Sequence, residues 1–429
     1  MTPEVRDRID QIRQGIVPEG YKKTKSGILP ESWSVRTIAE CLERVEHPVE
    51  VQANEMYTQI GIRSHGKGLF YKEPVTGDSL GNKSVFWIEP DCFILNIVFA
   101  WEQAVGKTTQ AEAGMIGSHR FPMYRPINGS IDIDYLISYL LTKRGTDILE
   151  AASPGGAGRN RTLGQDRFMK SRIVLPPLDE QKKIAEILST QDKAIELQER
   201  KIEELKRFKK GCLEKMFPRK GQKVPEKRFP GFTDDWEQRK LGELGTITTG
   251  STPSTAIPDY YSDDGIVWVT PTDICENITF ESARKLSDLG QQVGRVVPKN
   301  TILVTCIASI GKNTMLGSTG SFNQQINGLT PNENECDPYF LLTESALWSA
   351  KMKSSAAAGT MQIVNRTEFS ELKTWLPSLI EQQAISDFFR QLDYLITLHQ
   401  RKLEEMKKQK KALMQLLLTG IVKTKGEVR

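Results

Sequence analysis

Two stretches of this 429-residue sequence contain part of a phosphate-binding loop, in which glycine-rich backbone and a lysine hold a nucleotide phosphate. Residues 106–108 read Gly-Lys-Thr, but Trp101 stands where the GxxxxGK[ST] pattern requires its earlier glycine. Residues 311–312 read Gly-Lys, but Asn313 follows in place of Ser or Thr. The sequence therefore predicts no nucleotide-phosphate site at either place.

Motifs of methyl transfer and of metal-dependent phosphodiester cleavage are also incomplete. Adenine methyltransferases carry Asn or Asp, two prolines and an aromatic residue, whereas Pro176 and Pro177 lie between two leucines. A nuclease site could begin at Asp91, but residues 102–104 read Glu-Gln-Ala and lack the Glu-x-Lys spacing. The histidines and cysteines show no metal-ligand spacing. They are His47, His65, His119, His399, Cys41, Cys92, Cys212, Cys275, Cys306 and Cys336. The sequence predicts neither a catalytic site nor a metal site.

Composition narrows the class of protein. Lys and Arg number 58 against 54 Asp and Glu, a formal net charge of +4. This weakly basic balance permits nucleic-acid binding without arguing for it. The sequence has no apolar run of about 18 residues, and its charged start lacks the apolar region of a signal peptide. We therefore expect a cytoplasmic protein without a membrane span.

An internal repeat is the strongest pattern in the sequence. Residues 175–210, which begin LPPLDEQ, are matched without a gap by residues 376–411, which begin LPSLIEQ, at an offset of 201. Asp192 and Asp393 are among the identical pairs. Because a missed repeat misassigns a whole fold, this match organises the interpretation of the chain.

Each copy predicts a long helix, since prolines precede it, Gly and Pro are absent for many turns, and apolar residues recur at heptad spacing. A helix from Asp179 to Phe217 would be about 58 Å long at ~1.5 Å per residue, more than a globular core needs. Polar residues interrupt the apolar seams at matched places, namely Gln198 and His399, then Lys209 and Lys410. Such residues often fix the register of coiled coils. The seam residues are Leu188, Ile195, Ile202, Leu205, Phe389, Ile396, Leu403 and Met406. The alternative is a pair of amphipathic helices that pack only on their own domains.

The segments before the two helices predict strand-rich globular domains of an α+β protein. Trp33 and Trp236 open them similarly, and short apolar runs between Gly, Pro, Asn and Asp follow, although the interiors diverge. Residues 218–232 are basic and proline-containing, and we expect a linker that separates rather than folds. The predicted segments are 1–28 (partly helical), 29–175 (first domain), 176–217 (helix), 218–232 (linker), 233–375 (second domain) and 376–429 (helix and tail).

This plan resembles the specificity subunits of Type I restriction-modification systems over nearly the whole chain. The most specific features are the two LPxLxEQ helix openings, TTGSTPS at residues 248–254 and YYSDDGIVWVTPTDI at residues 260–274. The resemblance implies two target recognition domains, each reading one half of a split, asymmetric double-stranded DNA site. It further implies that the two long helices form an antiparallel coiled-coil spacer between them.

The same resemblance implies partners that supply the chemistry. Two methyltransferase subunits would dock on the long helices and methylate adenine N6 with S-adenosylmethionine. Two motor and nuclease subunits, which require ATP and Mg, would complete the restriction complex. The chain itself would be a non-catalytic subunit without a cofactor.

Base edges and phosphates are recognised by Arg, Lys, Asn, Gln and hydroxyl side chains on exposed loops. The first domain offers such residues in GIRSHGKG, GSHRF and GGAGRNRT, and the second offers them around four loops. The candidates are Arg63, Lys67, Arg120, Arg159, Asn160 and Arg161, then Ser251, Thr252, Lys312, Asn313, Asn323, Gln324, Gln325, Gln362, Asn365 and Arg366.

Two alternatives remain open at this stage. The lysine-rich runs at residues 206–210 and 407–411 predict a solvated helix face, a phosphate contact or a surface for an acidic partner. A coiled-coil assembly scaffold with two protein-binding domains would explain the helices equally well. It would not explain why the two domains, which occupy equivalent places in the repeat, differ in their internal sequences.

Overall fold

The structure is a computed structural model that describes residues 3–81, 83–155, 161–219, 221–307, 309–357, 363–422 and 424. The chain divides into two units, the first formed by Met1–Gln198 with Lys402–Arg429 and the second by Glu199–Arg401. This division differs from the linear order of segments in the sequence, because each unit includes part of both long helices. Among the described residues, no helix is long and apolar enough to cross a membrane.

The first unit contains a four-stranded antiparallel sheet in the order β11-β10-β13-β4 and the strand pairs β1-β2, β5-β8, β6-β7, β9-β12 and β3-β14. Its helices are α1 (Pro3–Arg13), α2 (Gly77–Leu80), α3 (Ile133–Leu140), α4 (Lys143–Ala152), α5 (Gln165–Lys170) and the start of α6 (Leu178–Met216). Its strands are β1 (Tyr21–Thr24), β2 (Gly27–Pro30), β3 (Ser34–Thr37), β4 (Leu42–Val45), β5 (Met56–Tyr57), β6 (Ile60–Ile62), β7 (Leu69–Tyr71), β8 (Val75–Thr76), β9 (Val85–Trp87), β10 (Phe93–Leu95), β11 (Val105–Lys107), β12 (Ile116–Ser118), β13 (Met123–Pro126) and β14 (Arg172–Leu175).

The second unit contains a five-stranded sheet in the order β16-β23-β20-β21-β18, a three-stranded sheet β19-β17-β22 and the pair β15-β24. Its helices are α7 (Asp288–Val293), α8 (Pro338–Ala357), α9 (Arg366–Ser370) and, shared with the first unit, α10 (Leu379–Leu418). Its strands are β15 (Glu237–Lys240), β16 (Gly245–Thr249), β17 (Tyr261–Val269), β18 (Ile278–Thr279), β19 (Lys285–Leu286), β20 (Ile302–Thr305), β21 (Asn313–Leu316), β22 (Gly320–Phe322), β23 (Ile326–Pro331) and β24 (Lys373–Leu376). Both units therefore have the α+β composition expected from the sequence.

The two long helices pack antiparallel within each unit. In the first unit, Ile184 and Leu188 near the start of α6 share a core with Leu417 near the end of α10. In the second unit, the ring of Phe217, directly after α6, lies 6.2 Å from that of Phe389 near the start of α10. Burial of apolar side chains from both helices explains why neither needs a high intrinsic helix propensity.

The repeated Lys and Asp residues form a matched pair of contacts. Lys410 Nζ donates a hydrogen bond to Asp192 Oδ1 at 2.5 Å in the first unit. Lys209 Nζ donates to Asp393 Oδ1 at 2.5 Å in the second. The lysines that interrupt the apolar seams are therefore neutralised by the other helix, which fixes one antiparallel register. Of the predicted seam residues, Leu188, Ile202, Phe389 and Ile396 are buried, and Ile195, Leu205, Leu403 and Met406 are half-buried.

The glutamine of each LPxLxEQ opening explains the motif. Gln181 is buried, its Nε2 donates to Pro176 O at 3.0 Å, and its Oε1 accepts from Asp132 N at 2.9 Å. Gln382 makes the same two contacts with Pro377 and Asp337. Asp132 caps α3, since its side chain accepts from the backbone N–H of Tyr135. Each glutamine thus joins a long helix to the preceding domain.

The segment at residues 218–232 packs on the second unit, so the expectation of a linker that separates without folding was wrong. Arg228 binds Glu381 through two hydrogen bonds, of 2.6 and 2.7 Å. The Phe229 ring lies 6.0 Å from that of Phe388, and Pro225 is buried. Its basic composition suggested a solvated segment. Instead, Glu381 pairs with the charge of Arg228, and Phe388 packs against the Phe229 ring.

The N-terminal segment packs on the end of α10 in the first unit. Val5 of α1 belongs to the first-unit core. Arg8 donates to Ile421 O at 2.9 Å, and Tyr21 Oη donates to Gly420 O at 2.9 Å. The two ends of the described chain are thereby joined.

A buried carboxyl group in the second unit predicts a pH effect on stability. Burial raises the pKa of Glu344 to about 7, against hydrogen bonds from Thr374 and the Trp375 backbone that lower it. A raised pKa in the folded state means that this group's contribution is full below about pH 4.5 and is lost as pH rises through 7. We expect Glu344→Gln to remove a loss on the order of 3 kcal/mol over this range. Urea unfolding between pH 4.5 and 8 measures it, with exposed Glu276→Gln as control; parallel curves for Glu344→Gln and the wild type would contradict the prediction.

Candidate nucleic-acid interface

Three loops of the first unit lie at one edge of its strands, and we call them the first reading edge: residues 63–68, 96–104 and 119–122. They follow β6, β10 and β12. A parallel bridge between Gln59 and Ile116 aligns β6 with β12. Strand β13, which begins directly after residues 119–122, pairs antiparallel with β10. The three loops therefore start from strand ends on the same side.

The hairpin at residues 63–68 holds two predicted contacts, Arg63 and Lys67, both exposed. The Arg63 side chain donates to Leu69 O at 2.7 Å and lies over the Phe70 ring at 5.2 Å. Gly66 has φ of +63°, and a Cβ there would lie 2.6 Å from Leu141 Cδ1. Glycine is required here by both the backbone and the packing. The hairpin is thus packed tightly at its base, while Arg63 and Lys67 remain exposed.

Arg120 and Arg161 lie on either side of the loop at residues 96–104. Ile97 N donates to Arg120 O at 3.0 Å, and Leu163 N donates to Ile97 O at 2.8 Å. The Arg161 guanidinium lies 5.4 Å from the centre of the Trp101 ring, a cation–π arrangement. The hairpin of Arg63 and Lys67 joins the same loop, since His65 N and Gly66 N donate to Glu102 O and Gln103 O at 2.8 and 2.9 Å. All four described candidates of the first unit thus lie around one loop. Arg159 and Asn160 lie outside the described residues.

A cavity of about 550 Å³ at the first reading edge contains cations that the sequence did not single out. These cations are Lys72 and Lys83, which line it together with His119 and with Arg120, a residue that the sequence did predict. No Asp or Glu of the described chain lines it. Lys72 joins the edge because its N–H donates to Gln59 O at 2.9 Å. Lys72 and Lys83 come from separate loops without a shared motif, so spacing in the sequence carried no signal for them.

The GKT stretch at residues 106–108 is not a phosphate-binding loop. Lys107 ends strand β11, and its Nζ lies 2.8 Å from Asp134 Oδ2. Burial lowers the pKa of Lys107, but the hydrogen bond and charge of Asp134 outweigh it and hold the pKa above its ordinary value. This lysine is therefore a charged partner of Asp134.

The second unit has a corresponding edge, the second reading edge, formed by residues 250–254, 270–273, 306–307, 309–312 and 323–325. Strand β17 runs parallel to β22, and Asn323 N donates to Val269 O at 3.0 Å. Strands β16 and β20 both pair antiparallel with β23, so their ends meet its start. Val364 N donates to Cys306 O at 3.0 Å, much as Leu163 bonds Ile97 in the first unit.

Four of the predicted contacts converge at this edge. Thr252 Oγ1 donates to Gln324 Oε1, and both residues are exposed. Ser251 Oγ accepts from Arg295 N at 2.9 Å, and the Arg295 side chain donates to Thr249 O at 2.7 Å. Lys312 Nζ donates to Pro271 O at 2.9 Å. Arg295, exposed beside Ser251, was not identified from the sequence.

Four further candidates have internal roles that make them weaker base readers. Both ends of the Asn313 amide are engaged, with Ser345 and Ser349 at 2.7 Å each. Asn323 Nδ2 donates to Gln325 Oε1 at 3.1 Å within one turn. Asn365 caps α9 by accepting from Glu368 N. These amides stabilise the loops; Arg366, at the start of α9, is exposed, and Gln362 lies outside the described residues.

Comparison with known proteins agrees with this architecture. The family model of the Type I restriction modification DNA specificity domain matches residues 85–207 and 233–408. The MjaVIII specificity subunit of a Type I restriction enzyme from Methanocaldococcus jannaschii is 24% identical over 437 residues, covering 97% of this chain and 99% of that protein. The HindI specificity subunit from Haemophilus influenzae is 28% identical over 167 residues, covering 37% of this chain and 36% of that protein.

Two solved structures share the fold. A chain from a type I R-M system, studied for complex assembly and conformational transition, has a TM-score of 0.59 at 17% identity and covers 92% of this chain and 99% of its own length. The S subunit of a Type I system from M. genitalium has a TM-score of 0.53 at 14% identity, with 91% and 96% covered. The family match spans more than half of the sequence. The chain belongs to the Type I restriction modification DNA specificity family and is a non-catalytic specificity subunit.

Proposed function

We propose that the chain reads a bipartite, asymmetric site in double-stranded DNA, one half with each reading edge. The observation that supports this most directly is that corresponding edges on one repeated frame carry different side chains. The first offers Arg63, Lys72 and Arg120, whereas the second offers Thr252, Gln324 and Lys312. Guanidinium groups suit guanine edges, and amides suit adenine edges, so unlike edges select unlike half-sites.

The repeated helices suit docking of two copies of one partner. Leu197 and Leu398 occupy equivalent positions at the offset of 201, and both are exposed, at 64% and 48%. We propose that two methyltransferase subunits bind at these positions, since a repeated surface offers equivalent seats. The partners would supply S-adenosylmethionine for adenine N6 methylation, and two motor and nuclease subunits would use ATP and Mg. A cytoplasmic site of action follows from the DNA that such a complex reads.

A map of N6-methyladenine tests this function. The chain is expressed with its methyltransferase subunit, and the map is compared with that of the methyltransferase subunit alone. We expect methylation at a split, asymmetric motif only when the chain is present. An active methyltransferase with the same map in both cases would favour a scaffold whose domains bind protein.

The first reading edge predicts a graded effect in the same assay. Lys72→Ala combined with Arg120→Ala should reduce methylation at sub-saturating DNA at least roughly 30-fold, because two lost contacts at about 1–3 kcal/mol each cost at least about 2 kcal/mol of binding. The control is Lys25→Ala, an exposed lysine in the β1-β2 hairpin, which should leave methylation unchanged. Full methylation by the double variant would remove these two residues from the interface.

A further inference from the structure

A basic groove in the first unit lies between the junction of α3 with α4 and the last turns of α10. It has a volume of about 630 Å³. Leu141 and Met414 contribute to its apolar floor. Five cations line it, namely Lys143, Arg144, Lys407, Lys410 and Lys411. We call this surface the α4-α10 groove.

Acidic residues reduce the positive charge of the groove only in part. Lys143 pairs with Asp147 at 2.5 Å, and Lys410 pairs with Asp192 at 2.5 Å. Neither aspartate lines the groove, and no other Asp or Glu of the described chain does. Arg144 and Lys411 are exposed. The surface therefore carries a net positive charge and suits an anionic ligand.

The groove adjoins the first reading edge. Gly66, in the hairpin at residues 63–68, packs against the Leu141 side chain of the groove. Gln103 Nε2, in the loop at residues 96–104, donates to Thr146 Oγ1 of α4 at 2.5 Å. The groove and the first reading edge are therefore neighbours, and an extended anionic ligand held by the edge would lie next to the groove.

The second unit does not repeat the groove in its described residues. Lys206 and Lys210 of α6 are the counterparts of Lys407 and Lys411 at the offset of 201. However, α8 continues without a break through the position of the α3-α4 junction. Counting from the matched caps Asp132 and Asp337, it places buried Trp348 and Ser349 where Lys143 and Arg144 lie. A surface that docks two copies of one partner would occur twice, so this asymmetry argues against such a partner.

We propose that the α4-α10 groove binds the sugar-phosphate backbone of the DNA next to the half-site read by the first unit. This inference rests on the proposed function, since it takes the reading edge to hold DNA. Lysine and arginine contact phosphates without reading sequence, so the groove would add affinity and salt dependence but no specificity. Of the run at residues 407–411, it assigns Lys407, Lys410 and Lys411 to DNA, one of the three roles that the sequence left open.

The test uses the full chain assembled with its methyltransferase subunit and a fluorescein-labelled duplex of mixed sequence. Affinity is measured by anisotropy over a series of KCl concentrations for the wild type and for Arg144→Gln combined with Lys411→Gln. We expect the double variant to bind about tenfold more weakly and its salt slope to fall by about 0.9 for each lost contact. The matched control, Lys206→Gln combined with Lys210→Gln, should bind as the wild type does.

Three results distinguish the alternatives. An unchanged affinity and salt slope in a folded Arg144→Gln, Lys411→Gln variant would overturn the proposal. Loss of the methyltransferase subunit from this variant would overturn it too, since the groove would then bind protein. If the wild-type complex binds no duplex and methylates no split motif, the proposed function itself is wrong. If only the groove proposal is wrong, the methylated motif stays the same.

Discussion

Replacing Arg228 with alanine is expected to lower the free energy of unfolding by about 3 kcal/mol. Arg228 and Glu381 form a two-pronged ion pair whose side chains are 16% and 1% exposed. Removing the cation leaves the Glu381 carboxylate buried without its charged partner, and such losses are among the largest that single substitutions produce. Urea unfolding followed by circular dichroism measures the change.

Two companion variants make the Arg228 result specific. Arg219→Ala removes a cation from the same segment, but its pair with Glu226 is solvent-exposed, so we expect a change below about 0.5 kcal/mol. Glu381→Gln added to Arg228→Ala should recover part of the loss, because no buried charge is then left unpaired. A loss for Arg228→Ala as small as that for Arg219→Ala would show that the pair is not important for stability.

The repeat explains why Arg228 is needed. In the first unit, Trp33 Nε1 donates to Glu180 Oε2 at 3.1 Å. In the second, Arg228 takes the equivalent glutamate, and the Nε1–H of Trp236 makes no hydrogen bond within the described chain. The same motif glutamate is thus satisfied by an indole in one unit and by a guanidinium in the other.

The second large effect is expected for Gln382→Ala, at about 3 kcal/mol of lost stability. Gln382 is fully buried, and its amide bonds Asp337 N, Glu335 O and Pro377 O at 2.9–3.0 Å. Truncation leaves these backbone groups buried without a partner, which costs about 1–3 kcal/mol for each group.

The neighbouring residue provides the control for Gln382. Gln383 is exposed on the same turn of α10, and Gln383→Ala should change the free energy of unfolding by less than about 0.5 kcal/mol. We also expect Gln181→Ala to destabilise the first unit, since Gln181 makes two of the same contacts. Equal stabilities of Gln382→Ala and Gln383→Ala in urea would contradict this account of the motif.

The sequence by itself determined the frame of this protein. The offset of 201 and the heptad spacing predicted the two long helices, and α6 (Leu178–Met216) and α10 (Leu379–Leu418) lie where the repeat indicated. Helix periodicity and caps are local properties, so residues a few positions apart carry the information. The sequence also indicated which family the chain belongs to, because the LPxLxEQ openings stabilise the frame itself.

Only the tertiary structure decided which loops meet and which side chains remain available. Strand pairing between distant residues, such as β17 with β22, brings Ser251, Lys312 and Gln324 to one edge. The same packing draws the amides of Asn313 and Asn323 inward and adds Arg295 beside Ser251. Residue type suggests what a side chain can bind, but its partners come from segments far apart in the chain. For that reason the sequence predicted the helices more sharply than the interface.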